Sequence, residues 1–440
     1  LSYQEQNMLI GRYCFRCHND ALMTGGLSLE SFDAAKAGEH AEIAEKMIRK
    51  LQAGMMPPPV AQRPDAATYQ ALVTGLETTV DAAAAANPNP GGRSFQRLNR
   101  PEYERAIYDL FRLEVDAEDW LPLDTMSANF DNNADAQTMS PMLLESFLNA
   151  ASDISRMAVG DRNAPLIDVK YTSPHYVSQH PWDRVEGAPH GTRGGMVVNH
   201  VFPADGQYVF ELRFNSGANT RLEDIDISIN GERVALLAYN TVRNGDADGR
   251  GGTPMQTEPI FLRAGQHSVA AAFIRRSDGP YEDLIRPHDW SFAGGGSGGT
   301  GVTTLPHLRD LIIRGPNNVT GLSDTPSRER IFTCRPTVSA EERACAREII
   351  AGVGREAYRR ELSADEVNAL LPFYEDGMEK GGFEAGIRTV LEAILASPNF
   401  VFRLERQPEG VAPGETYRLD DTDLATRLSF FLWGTPPDDE

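Results

Sequence analysis

Cysteine, positive charge and long apolar runs are all scarce in this sequence. Only 4 of 440 residues are cysteine, and no second C-x-x-C or H-x-x-x-H pair accompanies the first, which disfavours a four-ligand zinc site. Asp and Glu outnumber Lys and Arg by 63 to 42, and the net charge of −21 disfavours nucleic acid and anionic membranes as partners. No run reaches the roughly 18 to 20 apolar residues of a membrane span. We therefore expect no transmembrane segment.

Two of the four cysteines lie together in the stretch YCFRCHND, residues 13 to 20. Cys14, Cys17 and His18 form a C-x-x-C-H motif. Two thiols at this spacing can add to the two vinyl groups of one porphyrin edge, and the next imidazole then reaches the iron. The competing interpretations are half of a zinc site, which lacks its second ligand pair, and a thioredoxin-like dithiol, which lacks a βαβ context. The motif therefore predicts one covalently attached haem c.

A second axial ligand is expected downstream, and the segment LQAGMMPPP offers Met55 and Met56. A thioether is a soft ligand that stabilises ferrous iron. We favour Met56 because it directly precedes proline, as the axial methionine does in many small c-type cytochromes, and because Pro57 and its two successors stiffen the segment. The alternatives are that Met55 is the ligand, or that both methionines are core residues and the sixth position is open or filled otherwise.

The other two cysteines, Cys334 and Cys345, have no histidine between them, which disfavours haem or a metal. Haem is attached to C-x-x-C-H on the exported side of the membrane, where thiols oxidise. We therefore expect a Cys334–Cys345 disulfide that closes the start of a helical block. The alternative is two free buried cysteines.

The period of the apolar residues divides the chain into four segments. Helical periodicity over residues 1–90 predicts an all-α domain like a class I cytochrome c, which ends in a linker at 81–94. A second α-helical segment covers 91–164. The period then changes to two over 165–316, which predicts a β-sandwich of the jelly-roll or carbohydrate-binding-module type. Helical periodicity returns over 317–440, and we expect this block to continue beyond the chain end.

Local signals refine this outline. Ser or Asn followed three residues later by Glu predicts capping boxes at three helix starts. These are Asn99 with Glu102, Ser339 with Glu342, and Ser363 with Glu366. In the sandwich, strictly alternating apolar residues predict strands around Phe210 and Ile227, and Asn230-Gly231 predicts a tight hairpin turn.

These motifs resemble the planctomycete-type cytochrome c proteins, which are large exported multidomain chains. The likeness rests on C-x-x-C-H with GMMPPP, and on RLNRPEYERAIYDLF, SPMLLESFL, TPSRERIFTCRP and RLSFFLWGTPPDDE, and covers nearly the whole chain. In that family the other segments are domains of unknown function, so the resemblance implies an architecture and a haem but no reaction. Members usually continue into a second C-x-x-C-H. The resemblance therefore implies that this chain is the N-terminal portion of a dihaem protein.

We expect an exported c-type cytochrome, periplasmic or at the cell surface, whose haem relays single electrons. With His18 and Met56 both bound, the iron has no free position for a substrate. Its partner would be a redox protein or the C-terminal half of the same protein. The alternatives are a dihaem oxidoreductase with its catalytic centre in that half, and a surface polysaccharide-binding protein with a cytochrome appendage. The sequence names no substrate and no catalytic residue, so enzymatic activity is left open.

Weaker candidate sites lie in the predicted sandwich. Asn244, Asp246 and Asp248 match the first half of a calcium loop, but Met255 stands where a bidentate Glu belongs, so a polar turn is favoured over calcium. Aromatic side chains could form sugar platforms, although core packing is the more common role. They are Tyr176, Trp182, Tyr239 and Trp290. Four histidines of one polar stretch fit no metal motif, and we expect them to be loop residues. They are His175, His180, His190 and His200.

Overall fold

A computed structural model defines the fold. It describes residues 1–88, 91–92, 96–127, 129–134, 137–174, 177, 179, 184–215, 223–239, 255–275, 306–412 and 414–438. The chain forms two compact units, Leu1–Arg93 and Ser94–Glu440. No helix in these described stretches is long and apolar enough to cross a membrane.

The first unit is helical. Its helices are α1 (Tyr3–Tyr13), α2 (Ala41–Gln52) and α3 (Ala66–Ala86), with short 3-10 turns at Thr24–Gly26 and Ala34–Lys36. The three helices bury one apolar face each, and these faces form a single core that includes Ile10, Ile48 and Leu76. The predicted all-α N-terminal region is therefore confirmed.

Helix α1 packs closely against α3. Ser2 and Glu5 form a capping box that fixes the start of α1, and Gln6 and Ile10 are buried on the face toward the core. Gly75 on α3 leaves room for this approach, because a Cβ atom there would lie 2.7 Å from Nε2 of Gln6. The end of α1, where the C-x-x-C-H motif begins, is thereby held against the rest of the unit.

The predicted linker at 81–94 begins too early. Helix α3 runs on through the alanines to Ala86, and Asn87 caps it by donating its backbone N–H to the carbonyl of Ala83. Alanine has the highest helix propensity of all residues, so this stretch extends the helix instead of ending it. The helix therefore ends at Ala86, two residues before Pro88.

The second unit contains two antiparallel β-sheets in its centre. In one sheet the order is β2 (Ile167–Thr172), β10 (His307–Gly321), β4 (Asp205–Asn215) and β7 (Met255–Gln256), and β8 (Ile260–Leu262) also pairs with β4. In the other sheet the order is β3 (Thr192–Phe202), β9 (Gly265–Ile274), β5 (Asp224–Ile229) and β6 (Glu232–Ala238). The predicted central β region is confirmed.

Both sheets contribute side chains to one shared core. Phe210 on β4, Ile227 on β5 and Phe273 on β9 are fully buried in it, as the alternation of apolar residues predicts. Asn230 and Gly231 join β5 to β6 with φ angles of 51° and 83°. A two-residue hairpin of this kind needs positive φ at both positions, which Asn and Gly adopt at little cost.

Helices precede and follow the sheets in the second unit. They are α4 (Arg100–Phe111), α5 (Pro141–Val159), α6 (Pro326–Ile331), α7 (Ser339–Tyr358), α8 (Ala364–Gly381), α9 (Phe383–Ala396), α10 (Pro398–Val401) and α11 (Asp421–Leu432). A small antiparallel pair, β1 (Gln96–Arg97) with β11 (Phe402–Arg403), ties the first segment to the last. The predicted C-terminal helical block is confirmed.

The helices that precede the sheets in the sequence and the helices that follow them share one hydrophobic core. Tyr103 on α4 and Phe147 on α5 pack in the same cluster as Ile349, Leu371 and Leu391 from α7, α8 and α9. The predicted boundary near 164 falls in the connection between α5 and β2, whereas the one near 316 falls inside β10, which continues to Gly321. The division into four domains itself stays a prediction.

Two of the three predicted capping boxes form, at Asn99 with Glu102 and at Ser363 with Glu366. The third, at Ser339, is wrong. Ser339 is already the first residue of α7, and Val338 occupies the cap position without a side-chain hydrogen bond. Glu341 instead accepts hydrogen bonds from the backbone N–H and the hydroxyl of Thr337, at 3.1 and 3.3 Å.

Candidate functional site

The C-x-x-C-H motif forms the turn that ends α1. Cys14 is the C-cap residue, and its backbone N–H donates to the carbonyl of Ile10 at 2.9 Å. The carbonyl of Cys14 in turn accepts from the N–H groups of Cys17 and His18, at 3.1 and 2.9 Å. One backbone carbonyl therefore gathers the three motif residues into a single turn.

The two thiols of this turn differ in environment. Cys14 is half-buried and packs against the core of the first unit, whereas Cys17 is exposed. Burial raises the pKa of the Cys14 thiol to about 11, and the neighbouring Cys17 acts in the same direction. Both are free thiols, although two cysteines at this spacing could pair with each other. Two thiols are therefore available for covalent attachment.

His18 has no committed side-chain partner. Its Nδ1 atom is buried and meets no hydrogen-bond partner among the described residues. A buried polar atom without a partner costs free energy of about 1–3 kcal/mol. The backbone of His18 is fixed on both sides, because its carbonyl accepts from the N–H of Leu29 at 3.0 Å. The main chain of His18 is thus fixed, while the Nδ1 atom of its ring has no partner in the described part of the chain.

The segment with the two methionines follows α2. The N–H groups of Met55 and Met56 both donate to the carbonyl of Lys50, at 3.0 and 3.3 Å. Met55 is 51% exposed, and its sulfur lies 3.7 Å from Nζ of Lys50. Met56 is half-buried. The exposure favours Met56 over Met55 as the side chain that faces inward, and the choice of axial ligand stays a prediction.

Tyr69 on α3 anchors the methionine segment, and nothing in the sequence pointed to it. Its hydroxyl lies 2.9 Å from the carbonyl oxygen of Leu51 and also contacts the carbonyl oxygen of Met56. A hydroxyl has a single proton, so the two carbonyls share one donor. Burial raises the pKa of Tyr69, Arg63 opposes this shift, and the nearby Cys14 adds to it. Tyr69 therefore lies beside both Cys14 and the segment that carries Met56.

These residues fit a covalently bound haem. Two free thiols and an imidazole with an orphaned nitrogen lie in one turn, and a thioether lies in a segment fixed by Tyr69. Thiols, imidazole and thioether are the groups that attach and ligate haem in c-type cytochromes. Cys14, Cys17, His18 and Met56 are the residues that would hold it.

The predicted disulfide between Cys334 and Cys345 is present, with an S–S distance of 1.99 Å. It joins the segment after α6 to the first half of α7, and Cys345 is buried in the core of the helices. It closes the start of the helical block, as the sequence predicts.

The weaker candidates of the sandwich divide into described and undescribed residues. Tyr239 is buried and packs against Phe214 and Phe273, so it is a core residue and not a sugar platform. His190 is exposed, whereas His200 is buried and hydrogen-bonded to the hydroxyl of Tyr171 at 2.9 Å. The remaining candidates lie outside the described residues. They are the calcium candidates Asn244, Asp246 and Asp248, the aromatics Tyr176, Trp182 and Trp290, and His175 and His180.

Burial gives His200 an unusual titration. Its pKa is lowered to about 4, mainly because burial disfavours the charged imidazolium, and His267 adds to the effect. The ring packs between Tyr171 and Phe202, with centroid distances of 6.0 and 4.5 Å. The expectation of a loop histidine is wrong for His200, which lies on strand β3.

Three family models match the chain. Residues 14–60, from the first motif cysteine to beyond Met56, match the planctomycete cytochrome C family. This match lies within the first unit. Residues 96–160 and 345–405 match two families described as proteins of unknown function, DUF1587 and DUF1595. The resemblance to planctomycete-type cytochrome c proteins is therefore confirmed, and no curated protein matches the chain.

Solved structures are similar only at a distance. A family 35 carbohydrate binding module from Clostridium thermocellum is 15% identical, with 34% of this chain and 98% of that chain covered and a TM-score of 0.17. The EclA C-terminal domain, a sugar-binding protein, is 9% identical, with 44% and 97% covered and a TM-score of 0.16. At these TM-scores neither similarity supports a statement about a ligand of the sandwich.

Proposed function

We propose that the first unit is an electron-transfer domain with one haem c. Cys14 and Cys17 would attach the haem through thioether bonds, and His18 and Met56 would be its axial ligands. The observation that carries this proposal is the turn of two free thiols and an uncommitted imidazole within the segment that matches planctomycete cytochrome C. The bound iron would supply reversible one-electron chemistry.

The chain's own residues would position the group and limit its chemistry. The carbonyl of Cys14 fixes the turn of thiols and imidazole, while Lys50 and Tyr69 fix the methionine segment. The apolar core behind Cys14 would lower the local polarity. With imidazole and thioether both bound, no coordination position would be left for a substrate, so we propose a relay and not a catalytic centre.

We propose an exported location and a redox protein as the partner. The disulfide between Cys334 and Cys345 supports export, because disulfides persist in oxidising compartments. The partner could be a separate protein or a further part of the same one. Either would exchange single electrons with the haem of the first unit.

The decisive experiment is a pyridine haemochrome spectrum of the intact protein, followed by matched methionine variants. We expect the spectrum of a haem with two thioether bonds, and its loss in the double variant Cys14→Ser/Cys17→Ser. Met56→Ala should abolish the sulfur-to-iron absorption band and lower the reduction potential, because the thioether stabilises ferrous iron.

Met55→Ala is the control, because it removes a neighbouring methionine that is half exposed. It should leave both the band and the potential unchanged. A colourless protein would refute the proposal as a whole. An unchanged band and potential in Met56→Ala would refute thioether ligation by Met56 and leave the covalent haem standing.

A further inference from the structure

The segments that carry the proposed ligands are cationic within an acidic protein. Residues 10–19 and 50–64 contain no Asp or Glu, whereas the whole chain carries a net charge of −21. Their four cations are Arg12, Arg16, Lys50 and Arg63, and all four are exposed. The two segments are therefore cationic, although the chain as a whole is strongly acidic.

These cations are not neutralised by neighbours. Among the described residues none of the four has an ionic partner. Arg12 lies over the ring of Tyr13 at 5.3 Å, and Arg63 donates to the carbonyl of Gly54 at 2.9 Å. Helix α2 carries both kinds of cation, because Lys50 has no such partner among the residues that the structure describes, while Lys46 and Arg49 form i,i+4 pairs with Glu42 and Glu45. The charge of the four is thus available to a partner.

Asp20 and Asp65 directly follow the two segments, and both of them, like Glu30, are engaged within the unit. Asp20 accepts from the hydroxyl of Ser28 at 2.5 Å, and Glu30 accepts from the backbone N–H of Asp20 at 3.0 Å. Asp65 caps α3 by accepting from Thr68 at 2.9 Å. Their carboxylates hold loops and a helix start in place, so they do not form ion pairs with the four cations.

Exposed apolar side chains accompany the four cations. Leu22 and Met23 are 63% and 46% exposed, and Met55 and Val60 are 51% and 98% exposed. Leu22 and Met23 belong to the loop whose Thr24 N–H donates to the carbonyl of Cys17 at 3.4 Å. Met55 and Val60 belong to the segment held by Lys50 and Arg63. Apolar surface with a charged periphery is typical of a docking site.

We propose that the exposed side chains of these two segments, which both lie beside Tyr69, form one cationic face that docks a redox protein with acidic side chains. The face would consist of Arg12, Arg16, Lys50 and Arg63 with these apolar side chains. This inference rests on the haem function proposed above and adds the chemistry of the partner. Opposite charges would steer the encounter, and the apolar side chains would permit close approach without burying an unpaired charge. Nucleic acid suits the face less well, because its long row of phosphates would extend over the acidic remainder of the chain.

Small redox ions test the sign of the charge at the site. Oxidation by hexacyanoferrate(III) moves one electron from the reduced protein to the complex, which becomes hexacyanoferrate(II), and no proton is transferred. Between about 0.1 M and 1 M KCl the Debye length falls from about 10 Å to about 3 Å. The salt dependence of the oxidation rate over this range therefore reports mainly on charges close to the point of electron transfer. We expect this rate to fall at least about threefold, and the rate with the cationic tris(phenanthroline)cobalt(III) to rise.

A pair of charge-reversed variants locates the effect. Arg16→Glu/Lys50→Glu changes the charge of the face by four units, and neither side chain donates a hydrogen bond to an oxygen in the described structure. The rate with hexacyanoferrate(III) at about 0.1 M KCl should fall about tenfold, and its salt dependence should vanish or invert. Arg162→Glu/Lys170→Glu makes the same change of charge on exposed residues of the second unit and should leave both quantities unchanged.

Methionine methyl NMR gives a readout that does not depend on electron transfer. Hexacyanochromate(III) is a redox-inert paramagnetic anion that broadens signals near its binding site. In the reduced protein with labelled methionine methyls, we expect broadening at Met23 and Met55 and none at Met126 and Met142 of the second unit. All four methionines are exposed, by 46%, 51%, 66% and 71% in that order, so accessibility alone would broaden all of them.

Three results would overturn the inference while the haem spectrum remains intact. One is a rate with hexacyanoferrate(III) that rises with salt, which would show that the net charge of the chain governs the site. Another is equal loss of rate in the site variant and the control variant. The third comes from adding polyglutamate, as a model of an acidic partner, or a DNA duplex at the same concentration of negative charge to the oxidation by hexacyanoferrate(III). A duplex that slows this oxidation as strongly as polyglutamate does would contradict the proposed partner. A protein without a haem spectrum would instead refute the proposed function.

Discussion

At the scale of single residues, the sequence shows the C-x-x-C-H motif but not the contacts that support it. Cys14, Cys17 and His18 stand out because covalent haem attachment requires this spacing, and their part in it stays a prediction. Tyr69 was only one of several apolar residues at helical spacing in the sequence. Its contacts with the carbonyls of Leu51 and Met56 depend on how α3 packs against the end of α2. A role that arises from tertiary contact leaves no local pattern.

Tyr69→Phe should loosen the methionine segment while the fold persists. The variant removes one shared hydrogen bond, worth about 1 kcal/mol, and keeps the ring in the core. We expect the sulfur-to-iron band to disappear at a lower urea concentration than in the wild type, ahead of the loss of helical circular dichroism. Tyr3→Phe, at a 49% exposed position, is the control and should change neither midpoint. Coincident loss of both signals in Tyr69→Phe would contradict the positioning role.

Acid should destabilise the second unit through His200. Its pKa is about 4 when folded and about 6.5 when unfolded, so the unfolded chain binds more protons between these values. The stabilisation is complete above pH 6.5 and declines as the pH falls toward 4. The total loss from this one group is at most about 3 kcal/mol.

Urea unfolding at several pH values would measure this effect. His200→Gln keeps a hydrogen-bonding group beside Tyr171 but does not titrate, so its free energy of unfolding should depend less on pH. His307, which is also buried with its pKa lowered to about 4, should retain its own contribution. The exposed His190→Gln is the control. The same pH dependence of unfolding in the wild type, His200→Gln and His190→Gln would exclude His200 as a source of that dependence.

At the scale of elements, helices and strands follow from periodicity. The residues at which they begin and end depend on competing local preferences, which a single sequence does not resolve. The alternation around Phe210 predicted its strand because one face of the sheet is buried. The end of α3 was placed too early because the alanines before Asn87 favour helix more strongly than the following prolines oppose it. Ser339 cannot be the cap residue, because it is already the first residue of α7 and Val338 occupies the cap position. Such errors of a few residues are typical wherever two local preferences compete.

Two helical glycines should respond in opposite directions to alanine. A Cβ atom at Gly386 on α9 would lie 2.6 Å from the Tyr374 ring and 2.8 Å from the Tyr374 carbonyl oxygen. Gly386→Ala should therefore destabilise the second unit by about 1–3 kcal/mol. Gly352 on α7 is exposed and has open space around the same atom, so Gly352→Ala should stabilise the unit by about 0.5–1 kcal/mol. Changes of the same sign in thermal unfolding would refute the packing assigned to α8 and α9.

At the scale of the whole molecule, composition and period predicted the order of helical and β regions but not which helices pack together. The helices before the sheets and those after them are separated by more than 160 residues, yet Tyr103 and Leu391 belong to one core. Contacts at that distance along the chain depend on the fold and not on any local signal. The first unit has a separate core around Ile10 and Leu76.

Reduction of the disulfide should therefore affect one unit only. Cys334 and Cys345 are 11 residues apart, and a loop of that size stabilises a protein by about 3 kcal/mol in the chain-entropy picture. In calorimetry, Cys334→Ser/Cys345→Ser should lower the unfolding temperature of the second unit. The transition followed by the absorbance of the proposed haem, which would report on the first unit, should not move. A parallel shift of both transitions would show that the two units unfold together.

The end of α5 and the start of α6 lie next to each other in space, although the whole sandwich separates them in the sequence. The guanidinium of Arg328 on α6 donates to the last carbonyl of α5, that of Val159, at 2.6 Å. A Cβ atom on Gly160, the next residue, would lie 2.9 Å from Leu322. The sandwich is therefore an insertion with closely spaced attachment points. Such a module could be exchanged for another, or replaced by a short turn, without redesign of the helical body that carries it.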